Sequence, residues 1–132
     1  MRTRSKARQR AVEALFEAEQ RGVSVSDVFS RNPEVNDYAI EIAQLVELNN
    51  VRIDELISTY SQDWQISRMP AVDRAIVRIG VAELLYRSEL ETGVVISEAM
   101  EIAQNLSTLE SAKFLNGLLS NIGAIRSNLS TL

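Results

Sequence analysis

The 132-residue sequence contains no cysteine and no histidine. The first absence excludes disulfides, thiolate nucleophiles and zinc-thiolate clusters, and the second removes the commonest general base and metal ligand. Carboxylate chemistry has no recognisable scaffold either, because the chain holds neither a glycine-rich phosphate loop nor a paired-carboxylate motif. A catalytic role, a metal and an organic cofactor are therefore not expected. No apolar run approaches the length of about 18 residues that suggests a membrane span. The basic start leads into the amphipathic segment AVEALFEAE rather than a signal-peptide core, so a cytoplasmic protein without membrane contact is expected. Aromatic residues make up only 5% of the chain, too few for an extended base-stacking platform.

Acidic residues are missing from the first ten positions, which carry Arg2, Arg4, Lys6, Arg8 and Arg10. The whole chain has 14 basic and 18 acidic residues, so a +5 arm is followed by a body of net charge −9. Cations at a helix N-terminus oppose the macrodipole, so helix stability does not account for them. A phosphate backbone does, through counterion release and forked arginine contacts, and a solvated, frayed chain start is the alternative. The remaining composition, 45% apolar and 24% charged, is that of a folded single domain large enough to bury its own core.

No segment alternates at period two, and helical periods run through most of the chain. Ala7, Ala11, Ala14, Leu15 and Ala18 share a face of a first helix over 4–21, stopped by Gly22 in a C-cap position. Residues 24–31 make a short helix at best, ended at Asn32-Pro33. The spacing from Asn36 through Ile40, Ala43, Val46, Ile53, Ile57 and Tyr60 predicts one long helix, bent near Asn49-Asn50. Ser61–Met69, which holds the single tryptophan, Trp64, is a connection leading to Pro70. Residues 71–88 are apolar around most of the circumference and should form the central helix. Gly93 is expected to break it, with another helix from Ser97 to about Leu106, and Ser107-Thr108 should cap a last helix reaching about Ser127. The expected fold is all-α, with six or seven helices in two small bundles, about 1–62 and about 63–132. Gly117 in mid-helix suggests a close helix approach, because its propensity penalty of about 1 kcal/mol needs a reason.

Three blocks in this order, RSKARQRAVEALFEAE (4–19), RMPAVDRAIVRIGVAELLYRSE (68–89) and VVISEAMEIAQNLSTLESAKFLNGLLSNI (94–122), closely resemble the NusB family of bacterial transcription antitermination factors. The resemblance implies two roughly perpendicular helical bundles and no enzymatic activity. It also implies pairing with the small-subunit ribosomal protein NusE and binding of single-stranded boxA RNA on nascent ribosomal RNA transcripts. Such a factor would act within an antitermination complex with RNA polymerase and support processive transcription of ribosomal RNA operons. Related domains occur fused to ribosomal RNA methyltransferases, for which this length leaves no room, so a stand-alone factor is expected.

By position, the resemblance assigns RNA contacts to Arg4, Ser5, Lys6 and Arg8, and to Glu110, Lys113 and Phe114 of the last block. On a helix, Arg4 and Arg8 form one row and Lys6 and Arg10 a second. Partner contacts fall on Phe16, Asp73, Arg74 and Arg78. Core packing for Phe16, weak pairing on a solvated helix face for Asp73, Arg74 and Arg78, and helix-end stabilisation for Glu110 are the alternatives. The acidic body repels RNA beyond the arm but suits a basic ribosomal protein, which favours a heterodimer as the working unit. A protein-only adaptor and a helix-turn-helix DNA binder compete with this reading, the latter lacking a basic, amide-rich recognition face. A homodimer masking the arm is a further assembly to consider.

Overall fold

The computed structural model describes residues 3–32, 36–61 and 64–129. Arg2, the turn expected at Pro33 and the boundary expected between residues 62 and 63 lie outside the described residues. Those described form eight α-helices and one 3₁₀ turn (Ile66–Arg68), with no strand among them. The fold is all-α, as the periodicity indicates.

Helix α1 (Thr3–Arg21) buries Ala7, Ala11, Ala14 and Ala18 together with Val12. It packs against α2 (Val25–Phe29), α3 (Asp37–Leu48) and α5 (Ala71–Tyr86). Gly22 ends it at φ +66°, a left-handed conformation that glycine adopts without a Cβ penalty. Asn36 starts α3 by accepting the Tyr38 amide at 2.7 Å.

The long helix expected over 36–60 is two helices, α3 and α4 (Asn50–Tyr60). Asn49 leaves the helical region (φ −115°, ψ 24°), and its side-chain amide donates to the Leu45 carbonyl at 2.9 Å. A local side-chain bond of this kind competes with the helical ladder.

Helix α5 is the most enclosed element, burying Ile76, Val77, Ile79, Gly80, Val81 and Leu84 among others. It packs against α1, α3 and α4 and also against α6 (Thr92–Leu106), α7 (Leu109–Ala124) and α8 (Arg126–Leu129). The apolar core is continuous across both halves of the chain.

Gly93 does not break the chain; it lies in the first turn of α6, and the break comes earlier, after Tyr86. There the Arg126 guanidinium donates to the carbonyls of Leu84 (2.8 Å), Arg87 (2.8 Å) and Leu90 (2.6 Å). A side chain from the far end of the sequence thus satisfies orphan carbonyls at the end of α5.

The expected close approach at Gly117 is also corrected, since a Cβ built there meets nothing within 4 Å. The close approaches are at Gly80, where a Cβ would lie 2.9 Å from Leu119 Cδ2, and at Gly123, 2.6 Å from Thr92 Cγ2. Leu119 is fully buried, so its side chain can give way only by repacking its neighbours. Gly80→Ala should therefore destabilise, because overpacking costs about 1–3 kcal/mol against a helix-propensity gain of about 1 kcal/mol. Gly117→Ala should stabilise by about 0.5–1 kcal/mol. Urea unfolding of the two variants checks the opposite signs.

Candidate functional site

The arm is not a uniform row of exposed cations. Ser5, Arg8 and Val12 form a second buried row of α1 beside that of the alanines, so two polar side chains are carried into the interior. Arg8, only 3% exposed, donates through Nε to both oxygens of Glu83 (3.0 and 2.8 Å), and its Nη1 lies 3.5 Å from Glu98. The Ser5 hydroxyl donates to Glu98 at 2.8 Å, and the Tyr38 hydroxyl donates to Glu83. Glu83 and Glu98 are themselves buried at 1% and 5% exposure. Ser5 and Arg8, expected to face RNA, are thus turned inward, because two buried carboxylates on α5 and α6 require a cation and donors. Burial, reinforced by the hydrogen bond to Glu83, pushes the Tyr38 phenol well above its ordinary value.

Arg4 and Lys6 remain exposed. They point to different sides of α1, and the Arg4 guanidinium lies 4.3 Å from the centroid of the Tyr38 ring. Arg10 is half-buried, 5.6 Å from the Phe29 ring.

The expected partner residues divide similarly. Asp73 is fully buried near the start of α5, where one oxygen accepts the Ser107 hydroxyl at 2.6 Å. Arg74 pairs with Glu19 and donates to the carbonyls of Ile66 and Met69. Arg78 forks onto Asp54 at 2.9 Å on both oxygens and also reaches Glu19 at 3.3 Å. The Arg74 hydrogen bond holds the Glu19 carboxyl below the usual carboxylate range. These three residues, expected to face a partner, join α1, α4, α5 and the α6–α7 turn instead. Asp73 faces the interior because it shares a stripe with Val77 and Gly80, both buried.

Phe16 stays at the surface, 37% exposed, which rules out ordinary core packing. It edges a groove of about 330 Å³ floored by Val12, Val72 and Leu106 and rimmed by Glu13, Glu17 and Gln20.

Glu110 and Lys113 are exposed on the first turns of α7, and Phe114 is half-buried against Trp64, with ring centroids 5.0 Å apart at 80°. Trp64, Phe114, Glu110, Thr108 and Ser111 line a cleft of about 440 Å³. Sequence reasoning passed over Trp64 and Tyr38 as site residues; the available signal for Trp64 was a lone tryptophan in a connection rather than on an apolar helix face. The arm and this cleft do not merge into one patch. Arg8 meets α5 at Glu83, whereas Ser107, beside the cleft, meets it at Asp73, ten residues or about 15 Å along the helix. Among the described residues no group of three or more carboxylates could hold a metal ion, and no helix is long and apolar enough to cross a membrane.

These features define a helical protein whose exposed chemistry, cations at one end and an aromatic cleft and groove at the other, suits macromolecular partners. The NusB family model matches residues 5–124, and the chain belongs to the NusB family. It is 50% identical to the transcription antitermination protein NusB of Kineococcus radiotolerans over 98% of this chain and 99% of that protein. The solved structure of NusB from T. maritima superposes with a TM-score of 0.83 at 32% identity, covering 94% of this chain and 93% of that one. A crystal structure described as antitermination factors NusB and NusE in complex with dsRNA superposes with a TM-score of 0.81 at 27% identity, covering 94% and 98%.

Arg8→Ala should lower stability by about 3–5 kcal/mol, because it leaves two buried carboxylates without their cation. Lys6→Ala should change it by less than about 0.5 kcal/mol, and Arg4→Ala should cost no more than about 1 kcal/mol, the worth of an exposed cation–π contact. Chemical denaturation of the three variants separates the structural cation from the surface ones. The raised Tyr38 pKa adds a pH dependence. The unfolded phenol ionises near its ordinary value of about 10 while the folded one stays protonated. Its stabilising contribution is therefore complete below that pH and falls as pH rises above it, a loss that Tyr38→Phe should remove in alkaline unfolding curves.

Proposed function

We propose that this chain is a transcription antitermination factor that pairs with NusE and binds single-stranded boxA RNA on ribosomal RNA transcripts. It supports processive transcription of ribosomal RNA operons in complex with RNA polymerase, as a cytoplasmic binding protein rather than an enzyme. The observation that carries the reading is the segregation of charge on a rigid frame. Arg4 and Lys6 are exposed on a helix locked to the body by Arg8, while that body has a large excess of acid. Family membership and the likeness to a structure holding NusE and RNA support the same reading.

Arg4 and Lys6 hold the RNA backbone, with Ser5 and Arg8 beneath them as positioning residues. Glu110, Lys113 and Phe114 meet RNA at the α7 cleft, to which Trp64 adds a second ring. An aromatic pair and a carboxylate acceptor suit a splayed base, whose face can stack and whose amino group can donate. The Phe16 groove takes NusE, since an apolar floor with Glu13 and Glu17 on its rim complements a basic protein.

Titration of a boxA RNA oligonucleotide with and without NusE, at several salt concentrations, tests the assignment. Tighter binding with NusE is expected. With two arm cations on phosphate instead of three, the Arg4→Ala, Lys6→Ala double variant should flatten the log K against log salt slope by about 1.4. Phe16→Asp should weaken NusE binding by itself, measured without RNA. No RNA binding by the heterodimer would leave a protein-only adaptor, and competition by duplex DNA would instead favour a DNA binder.

A further inference from the structure

The exposed Arg4 guanidinium and the buried ion cluster are connected through one ring. Tyr38 is 9% exposed and is fixed in three ways: its amide donates to Asn36, its hydroxyl donates to Glu83, and the Arg8 guanidinium carbon lies 5.7 Å from its centroid. The Arg4 guanidinium carbon also lies over the ring, 4.3 Å from its centroid. A long arginine side chain at a helix N-terminus is otherwise free to sample many rotamers, and fixing it on contact with RNA would weaken binding. A guanidinium held over an aromatic face by cation–π attraction still has N–H donors to offer phosphate oxygens.

We infer that Tyr38 is a positioning residue for RNA, an aromatic shelf whose ring face holds Arg4 in a phosphate-ready orientation. This rests on the RNA-binding reading above. It concerns α3, a helix to which neither the sequence pattern nor the family resemblance assigned a contact. Arg4 supplies the charge, and Tyr38 supplies its direction.

The test is a double-mutant cycle on boxA RNA binding by the complex with NusE, with the thermal midpoint of each variant recorded alongside. Tyr38→Leu should weaken binding about two- to five-fold, the size of an exposed cation–π contact, when Arg4 is present. It should have no further effect in the Arg4→Ala background. Tyr38→Phe, which keeps the ring, should retain the coupling to Arg4 that Tyr38→Leu abolishes. Arg4→Lys, which leaves the core untouched, should lose a similar factor in affinity while keeping the wild-type salt slope, because it retains the charge and loses the planar, forked guanidinium. This comparison stands even if Tyr38→Leu fails to fold. Equal losses on Tyr38→Leu in both Arg4 backgrounds would show a merely structural ring and overturn the inference. Full affinity in Arg4→Lys would overturn it as well. If the wild-type complex does not bind the RNA at all, the RNA-binding reading falls and the inference with it, whereas binding with an additive cycle removes the inference alone.

Discussion

Burying the Arg8 guanidinium against Glu83 and Glu98 commits three helices at once, because α1, α5 and α6 each contribute one member of the cluster. The alanine stripe of α1 gives close packing but little register, since one small apolar side chain replaces another with little loss. A guanidinium fork has fixed directions, and the hydroxyls of Ser5 and Tyr38 occupy further acceptor sites on the same carboxylates. A one-turn slide of α1 that put Val12 in the place of Arg8 would leave buried charges unpaired, at a penalty of several kcal/mol. The cluster thereby sets where the chain's first turns lie, and with them Arg4 and Lys6.

Helix α5 carries this constraint to the rest of the molecule. Glu83 near its C-terminal end holds the arm, Asp73 in its first turn holds Ser107, and Arg74 and Arg78 between them tie in α1 and α4. Arg126 closes its C-terminal carbonyls. The polar residues of this helix are therefore largely internal fasteners, and the surfaces left for partners are those at its two ends. At one end are the arm cations; at the other are the Phe16 groove and the Trp64–Phe114 cleft. An RNA strand and a basic protein can occupy such separated surfaces together.

Much of the fold was legible from periodicity: α1 with its Gly22 stop, the enclosed α5, and α7 capped by Thr108 at Ser111. What escaped was non-local. The α3–α4 division turns on the Asn49 side chain capturing a carbonyl, and the end of α5 on an arginine some forty residues away. Gly117 and Gly80 look alike as mid-helix glycines, and only the position of Leu119 distinguishes them. At the site, counting charge found the arm but could not tell Arg4 from Arg8, which lie on one row of the helix. Only the first lies on the surface, because the carboxylates that claim the second come from residues 75 and 90 positions later. Phe16 and Phe114 could be singled out in the sequence, whereas Tyr38 and Trp64 acquire meaning from neighbours distant in the chain.

Amide hydrogen exchange across the first three turns of α1 most directly addresses whether the basic arm is an anchored part of the frame. Amides of residues 8–12 should exchange in the wild-type protein nearly as slowly as those in the middle of α5. In Arg8→Gln the same amides should exchange far faster, while those of α7 keep their protection. Fast exchange in the wild-type protein, or slow exchange unchanged by Arg8→Gln, would contradict the role given to the buried cluster.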